Sequence, residues 1–230
     1  DAIITINNED FERAKTFKLK NNGQVYYVPG VGIDLSQYEI NKNMRKIKRD
    51  ELCLKDSDKM IISVGELNTN KNNKVILEAI AEIANNNVYY FLCGIGPLEE
   101  KLKLLAKNYG IENHIHFLGY RNDIKDLLQA ADIYVMPSIR EGLSRSLMEA
   151  MACGVPCVVS NIRGNSDLIN NSVNGFLCSK ATDYAQSIKT ILESPDCAEK
   201  FSKKSLEKVR GFSLKTVIGY LYDIYSKEMV

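Results

Sequence analysis

Short apolar runs alternate along this chain with stretches in which apolar positions recur every three or four residues. The runs AIITI (2–6), QVYYV (24–28), KMIISV (59–64), VYYFLC (88–93), HIHFL (114–118), DIYVMP (132–137) and VPCVVS (155–160) are rich in β-branched and aromatic residues. They are apolar at successive positions, as strands covered by helices on both faces are. Helical spacing follows each of the first six, over 8–17, 43–53, 74–85, 97–108, 123–131 and 146–153. In the third of these helices Val75, Ile76, Ala79, Ile80 and Ile83 share one face. The fourth opens with Pro97 at the favoured first position, and the last stops at Gly154 ahead of Pro156. Beyond residue 181 only helical periodicity remains, over 181–192, 196–209 and 213–227. This order predicts an α/β fold: a three-layer αβα Rossmann-like domain with a parallel sheet and trailing C-terminal helices.

The segment VPGVGIDLSQY (28–38) differs from its flanks, with one proline and two glycines between a strand and a polar stretch. It marks a boundary. Residues 1–28 supply a single strand–helix–strand unit, whereas 58–180 hold a complete sheet. The chain opens on DAIITINNED, which reads as a strand already under way. The expected division is therefore 1–38, the remnant of an N-terminal domain with its hinge, and 39–230, a second domain.

Composition narrows the function. A chain of 230 residues with 45% hydrophobic and 26% charged residues can build a self-sufficient core. Its 30 basic and 29 acidic side chains leave a formal charge of +1, so no general field holds a nucleic-acid backbone and no nucleic-acid partner is expected. The basic run NKNMRKIKR (41–49) reads as a solvated helix face. No stretch approaches the roughly twenty apolar residues of a transmembrane helix. Cys53, Cys93, Cys153, Cys157, Cys178 and Cys197 form no C-x-x-C pair and read as free, mostly buried thiols. His114 and His116, two apart on one strand, read as structural or surface residues.

In an open parallel sheet, ligands bind beyond the carboxyl ends of the strands, where loops meet helix N-termini. Four such loops carry unusual residues. GELNTNKNN (65–73) offers a sharp turn at Gly65 and an ammonium at Lys71, suited to a diphosphate or simply to solvent. GIGPLEE (94–100) permits close approach at Gly94 and Gly96, with the helix from Pro97 aiming its N–H groups there. It lacks the third glycine of a dinucleotide fingerprint and follows a mid-sheet strand, which argues against NAD. PSIREGLSRSLMEAMACGVP (137–156) places Glu141 in the loop and Glu149 eight residues on, inside the helix, with a glycine, two serines and an arginine between them. Carboxylates at this offset suit hydroxyls on separate parts of one ligand, and the amides of the turn suit phosphate. A helix cap for Glu141 and a salt bridge for Glu149 are the structural alternatives. NIRGNSD (161–167) brings Arg163 and Gly164 toward the same cleft, with Ser166 or Asp167 capping a helix that begins at DLI.

Taken in order and spacing, E-x7-E from Glu141 to Glu149 with the trailing EAMACGVPCV, GIGPLEE, FLGYRND and NIRGNSDLI...NGFL resemble one family. It is glycosyltransferase family 4, the retaining group 1 glycosyltransferases of GT-B fold, and the likeness is to their C-terminal, nucleotide-sugar-binding half. The resemblance runs from residue 1 to about 226. It implies that Glu149 accepts hydrogen bonds from the ribose hydroxyls and that Glu141 touches the transferred sugar. Under it, the amides of Gly142, Leu143 and Ser144 serve sugar and diphosphate, and Lys71 is the phosphate-binding lysine. Gly65 and Gly94, with Tyr120 and Arg121 in the stretch 119–122, border the donor and its base, expected to be uracil. Glu66 stands where the family usually has an arginine, so either Arg140, Arg145 or Arg163 supplies the missing cation or donor binding is weaker. Asp167 stands where a glutamate is commoner, and Leu143 and Ser144 stand where many members carry an aromatic residue.

The activity so implied is transfer of a sugar from a nucleotide diphosphate sugar to a glycan or lipid-linked acceptor, in polysaccharide biosynthesis, with Glu141, Lys71 and Arg145 as the catalytic set. No Asp-x-Asp pair lies in a suitable loop, so neither metal nor cofactor is expected beyond the donor substrate. The acceptor would bind through an N-terminal domain missing from this chain, which alone is expected to be inactive. The implied location is cytoplasmic, with peripheral association at the inner face of a bacterial membrane. The other readings are a sugar-nucleotide epimerase or phosphorylase of the same fold, and a non-catalytic nucleotide-binding domain.

Overall fold

The computed structural model describes residues 2–20 and 23–228; Asp1 and Val230, the outer ends of the two expected domains, lie outside the described residues. Strands β1 (Ala2–Thr5) and β2 (Gln24–Tyr27) pair in parallel, joined through helix α1 (Asn8–Ala14). A second, wholly parallel sheet contains β3 (Lys59–Val64), β4 (Val88–Cys93), β5 (Ile115–Gly119), β6 (Ile133–Met136), β7 (Cys157–Ser160) and β8 (Gly175–Cys178). Their spatial order is β5-β4-β3-β6-β7-β8. The chain lays strands outward from β3 to β5, then returns beside β3 and runs outward the other way. The topological switch point therefore lies between β3 and β6, where a crevice opens at the carboxyl ends.

Alternate residues of each strand enter opposite apolar layers, as a pleat covered on both faces requires. Met60, Ile62, Phe91, Tyr134, Met136, Cys157 and Val159 face one core, filled by α5 (Ile124–Ala130) and α6 (Arg145–Ala152). Ile61, Tyr90, Leu92, Ile133, Val135 and Val158 face the other, filled by α3 (Lys74–Ile83), α4 (Glu99–Asn108) and α8 (Ala181–Glu193). The three-layer αβα arrangement is the one the periodicity predicts. Strand β8 is the element the pattern did not show: GFLC is four residues long and opens on a glycine, too short for a clear period.

Three local expectations need correction. Helix α2 (Lys42–Glu51) carries the basic run, but its charged side is an anchor rather than a solvated face. The buried Arg49 guanidinium donates to the carbonyls of Asp58 (2.6 Å), Lys55 (2.9 Å) and Ala130 (3.2 Å), and Arg45 pairs with Asp132 at 2.7 Å. Helix α4 begins at Glu99, two residues after Pro97, and the Leu98 N–H is taken by the Leu67 carbonyl at 2.9 Å. Helix α7 (Asn165–Leu168) begins after Gly164, ahead of Ser166 and Asp167, so neither of those residues caps it.

Helices α9 (Pro195–Val209) and α10 (Leu214–Glu228) end the chain. Val217 and Ile224 of α10 pack on Val28, and the Tyr26 hydroxyl donates to Glu228 at 2.7 Å, so α10 lies against the β1–β2 unit. The two connecting segments run side by side, with the Leu214 N–H on the Ile33 carbonyl at 2.8 Å. Cys93, Cys153, Cys157 and Cys178 are buried free thiols, and burial pushes Cys93 and Cys153 up to about 12. Cys53 is exposed. The His116 ring stacks on Phe91 at 4.6 Å, and a His114 ring nitrogen lies 3.1 Å from the Val88 carbonyl, both structural placements. Among the described residues no helix is long and apolar enough to cross a membrane.

Candidate functional site

The switch point explains why residues seventy apart in sequence meet. Lys71 lies in the loop after β3 and Glu141 in the loop after β6, and the crevice between those strands brings Lys71 Nζ within 2.7 Å of Glu141 Oε1. Both side chains are mostly shielded, at 22% and 14% exposure. Ser138, Gly65 and Asn73 line the narrow cavity beside Lys71. The Ser138 hydroxyl is buried there without a partner among the described residues.

Beyond Glu141 the chain turns into α6. Ser144 has extended backbone and accepts the Leu147 N–H on its hydroxyl at 3.4 Å, so its side chain caps the helix. Leu143 packs its side chain on the core and meets the Gly30 turn, where a Cβ would strike it. Gly142 has no side chain, and those of Leu143 and Ser144 are engaged in packing and capping. Glu149, on the second turn of α6, accepts from Arg145 Nε at 3.0 Å; its side chain is 15% exposed while that of Arg145 is 71% exposed. Arg145 is thus an exposed partner on a sheltered carboxylate. The Tyr38 hydroxyl faces the same pair: burial first, then the Glu149 charge, pushes it up to about 12. Sequence offered no signal for Tyr38, which ends the connecting segment as one aromatic among polar residues.

A cleft of about 370 Å³ opens beside this crevice, lined by Gly65, Glu66, Gly94, Ile95, Tyr120 and Arg121 among others. Its floor is backbone. The Gly65 N–H donates to the Cys93 carbonyl at 2.9 Å and the Gly94 N–H to the Gly119 carbonyl at 2.8 Å, extending the sheet past its strands. Gly94 has φ +149°, and a Cβ there would run into the Gly65 carbonyl, so only glycine fits. Tyr120 stands 79% exposed at the mouth. Arg121 reaches the cleft but turns its guanidinium onto both Asp123 oxygens, at 2.7 and 2.6 Å, and onto Glu51 at 2.8 Å. These contacts hold the Asp123 carboxyl far below the usual carboxylate range, with Lys48 at 2.7 Å contributing.

Arg163 is placed elsewhere. Its guanidinium pairs with Asp10 of α1 at 2.5 Å, and Asp167 accepts from Asn8 at both the main-chain N–H (2.9 Å) and Nδ2 (2.8 Å). The loop after β7 thus docks the β1–β2 unit and spends both charged groups doing so. Gly164 nonetheless borders the site, since a Cβ there would strike the Gly142 carbonyl. Lys71 and Glu141 are brought together, Glu149 and Arg145 form a neighbouring pair, and Gly65, Gly94, Tyr120 and Arg121 line the adjoining cleft. Arg140 is exposed at the rim, its main chain held by Asn70. Sequence reasoning missed Asn70, Asp10 and Asn8, because their partners lie 70 to 159 residues away.

A doubly wound sheet with carboxylates, an ammonium and a glycine-floored cleft at its switch point defines a Rossmann-like ligand-binding domain. More particularly, the chain belongs to the group 1 glycosyl transferases, whose family model matches residues 44–208. It is 30% identical, over its whole length, to the Bacillus subtilis (strain 168) protein EpsD, which is named as a glycosyltransferase, and covers 61% of that protein. Over 97% of its length it is 30% identical to the UDP-Gal:alpha-D-GlcNAc-diphosphoundecaprenol alpha-1,3-galactosyltransferase of Escherichia coli, covering 59% of that enzyme. The chain therefore spans about three fifths of these relatives. In fold it is similar to Anabaena Alr3699/HepE, crystallised in complex with UDP, with a TM-score of 0.90 at 21% identity over 98% of this chain and 64% of that one.

Proposed function

We propose that this chain is the donor-binding portion of a retaining glycosyltransferase that moves a sugar from a UDP-linked donor to a glycan or lipid-linked acceptor. The observation that carries the reading is the meeting of Lys71 with Glu141 at the switch point, next to a sheltered Glu149. In this reading the uracil enters the glycine-floored cleft beneath Tyr120 and beside Arg121. Glu149 exchanges Arg145 for the ribose hydroxyls, and the released guanidinium turns to the diphosphate. Lys71 shares its remaining N–H donors between Glu141 and the diphosphate, and the amides of Gly142, Leu143 and Ser144 complete the anion site.

The reaction breaks the bond from the anomeric carbon to the phosphate oxygen, and the electron pair leaves with the diphosphate. The acceptor oxygen bonds the same face of that carbon while its proton passes to the departing phosphate oxygen, which retains the configuration. Lys71, Arg145 and the turn amides stabilise the leaving group in the role a metal serves elsewhere. Arg163, occupied by Asp10, belongs to the junction between residues 1–38 and 39–230. We assign the first range to the acceptor side and the second to the donor side. The Escherichia coli relative's name supports a diphosphate-linked lipid acceptor, and with it action at the inner face of the membrane.

Calorimetric titration of UDP into this chain tests the reading. Two ribose hydrogen bonds to a charged acceptor are worth about 3 kcal/mol, offset by about 1 for the Arg145 pair given up, so Glu149→Ala should weaken UDP about 30-fold. No UDP binding by the folded wild-type chain, or equal binding by Glu149→Ala, would sink it.

A further inference from the structure

Strands β3 and β6 are in register at only Ile61↔Ile133 and Ile62↔Tyr134, so the ladder ends well before the loops that carry Lys71 and Glu141. Something else holds those loops together. The Asn70 side-chain amide closes on both polar groups of the Arg140 main chain: Nδ2 donates to the carbonyl at 3.0 Å, and Oδ1 accepts the N–H at 3.1 Å. One residue earlier, the Ile139 N–H donates to the Asn70 carbonyl at 2.8 Å. These bonds reproduce a strand rung with one side made of a side chain. The next residue on each side is Lys71 and Glu141, at 2.7 Å from one another.

Side-chain packing at 139 and 140 gives this rung little support. Ile139 is 58% exposed and Arg140 is exposed, so their side chains do not pin the loop to the core. On its own side, Lys71 is fixed by its N–H donating to Asn68 Oδ1 at 3.0 Å, a bond within the loop after β3. That bond orients Lys71 but says nothing about Glu141. Among the described residues, the Asn70 contacts are the hydrogen bonds between the two loops apart from the Lys71–Glu141 pair itself. An asparagine suits the place because it presents a donor and an acceptor side by side, matching one peptide unit. Aspartate keeps the acceptor and loses the donor.

We infer that Asn70 is a positioning residue: it fixes the register of the two loops so that Lys71 and Glu141 meet across the crevice. Its consequence for donor binding rests on the reading proposed above, whereas its consequence for the ion pair does not. Two measurements separate them, a crystal structure and UDP affinity, on Asn70→Ala, Asn70→Asp and Lys71→Ala. In Asn70→Ala the bond to the Asn70 carbonyl survives, so the chain folds, and Lys71 Nζ and Glu141 Oε1 move beyond about 4 Å, outside ion-pair range. Losing both side-chain bonds weakens UDP about tenfold, and Asn70→Asp, keeping one, weakens it about threefold. An intact ion pair in Asn70→Ala, with UDP affinity within about twofold of wild type, overturns the inference. If Lys71→Ala alone weakens UDP, the Asn70 role fails and the donor reading stands. If Lys71→Ala also leaves UDP unchanged, the donor reading fails, and the Lys71–Glu141 distance in the Asn70→Ala crystal structure alone decides the Asn70 role. Should Asn70→Ala not fold, the same two readouts on Asn70→Asp decide.

Discussion

Replacing Arg49 by methionine removes the charge that ends the chain's basic run at 41–49 while keeping most of the side chain's length. If α2 presented a solvated basic face, the change would be nearly silent, as surface substitutions are, within about 0.5 kcal/mol. The structure says otherwise. The guanidinium is buried and is the donor to the Asp58 carbonyl at 2.6 Å, the Lys55 carbonyl at 2.9 Å and the Ala130 carbonyl at 3.2 Å. After its removal the Lys55 carbonyl still accepts the Asp58 N–H at 3.1 Å, and Ala130 is still held by Arg45 at 2.7 Å. Asp132 keeps Arg45 and the Met60 N–H, both at 2.7 Å, so no charge is stranded. The Asp58 carbonyl is left without its donor, at a cost of about 1–3 kcal/mol, and the weakened partners add about 1 more. Arg49→Met should therefore destabilise by about 2–4 kcal/mol, a large share of a domain's usual 5–15, or about that range. Urea unfolding gives the number, with the exposed Lys46→Met as control. A change in Arg49→Met no larger than in the control would refute the anchoring role of α2.

Two further outcomes follow from named contacts. Asp123 is held by Arg121 and Lys48, so its folded carboxyl titrates below its unfolded one. The stability it contributes is complete above the unfolded value near 4 and is lost as pH falls through the folded value. The stability difference between wild type and Asp123→Asn should thus be flat from about pH 7 to 5 and shrink below about pH 4; a difference independent of pH down to about 2 would contradict this. The Asp10–Arg163 pair joins two side chains that are 34% and 30% exposed, so solvent screens it. A double-mutant cycle with Asp10→Asn and Arg163→Gln should give a coupling of about 0.5–1 kcal/mol that falls in high salt. Zero coupling would show that Arg163 is free for other work.

The fold was legible because its strands are buried on both sides. KMIISV and VYYFLC read as strands without alternation, and the structure keeps both ranges unchanged. β8 escaped because GFLC is short and glycine-led. The site was legible where chemistry is local in sequence: Glu141 and Glu149 sit on one loop and helix, and Gly94 follows directly from its strand. What sequence could not show is which cation faces which carboxylate. Arg163 and Asp167 have the composition of a phosphate loop, yet α1 supplies Asp10 and Asn8 to meet them. Arg45 and Arg49 have the spacing of a solvated face, yet Asp132 and a ring of carbonyls lie opposite. Arg45, Arg163 and Asp167 each meet a partner more than eighty residues away, and Arg49 reaches carbonyls six and nine residues on as well as Ala130, none of which periodicity shows.

In the proposed donor site, the sheltered carboxylate of α6 binds ribose while Lys71 and the turn after Glu141 hold the diphosphate. A crystal structure of this chain soaked with UDP tests it most directly. Ribose hydroxyls should lie within hydrogen-bond distance of Glu149, uracil in the cleft beneath Tyr120 and the β-phosphate near Lys71, with Arg145 displaced from its present 3.0 Å contact. UDP bound away from the switch point, or bound there with the Arg145–Glu149 pair undisturbed and no contact to Glu149, would contradict it.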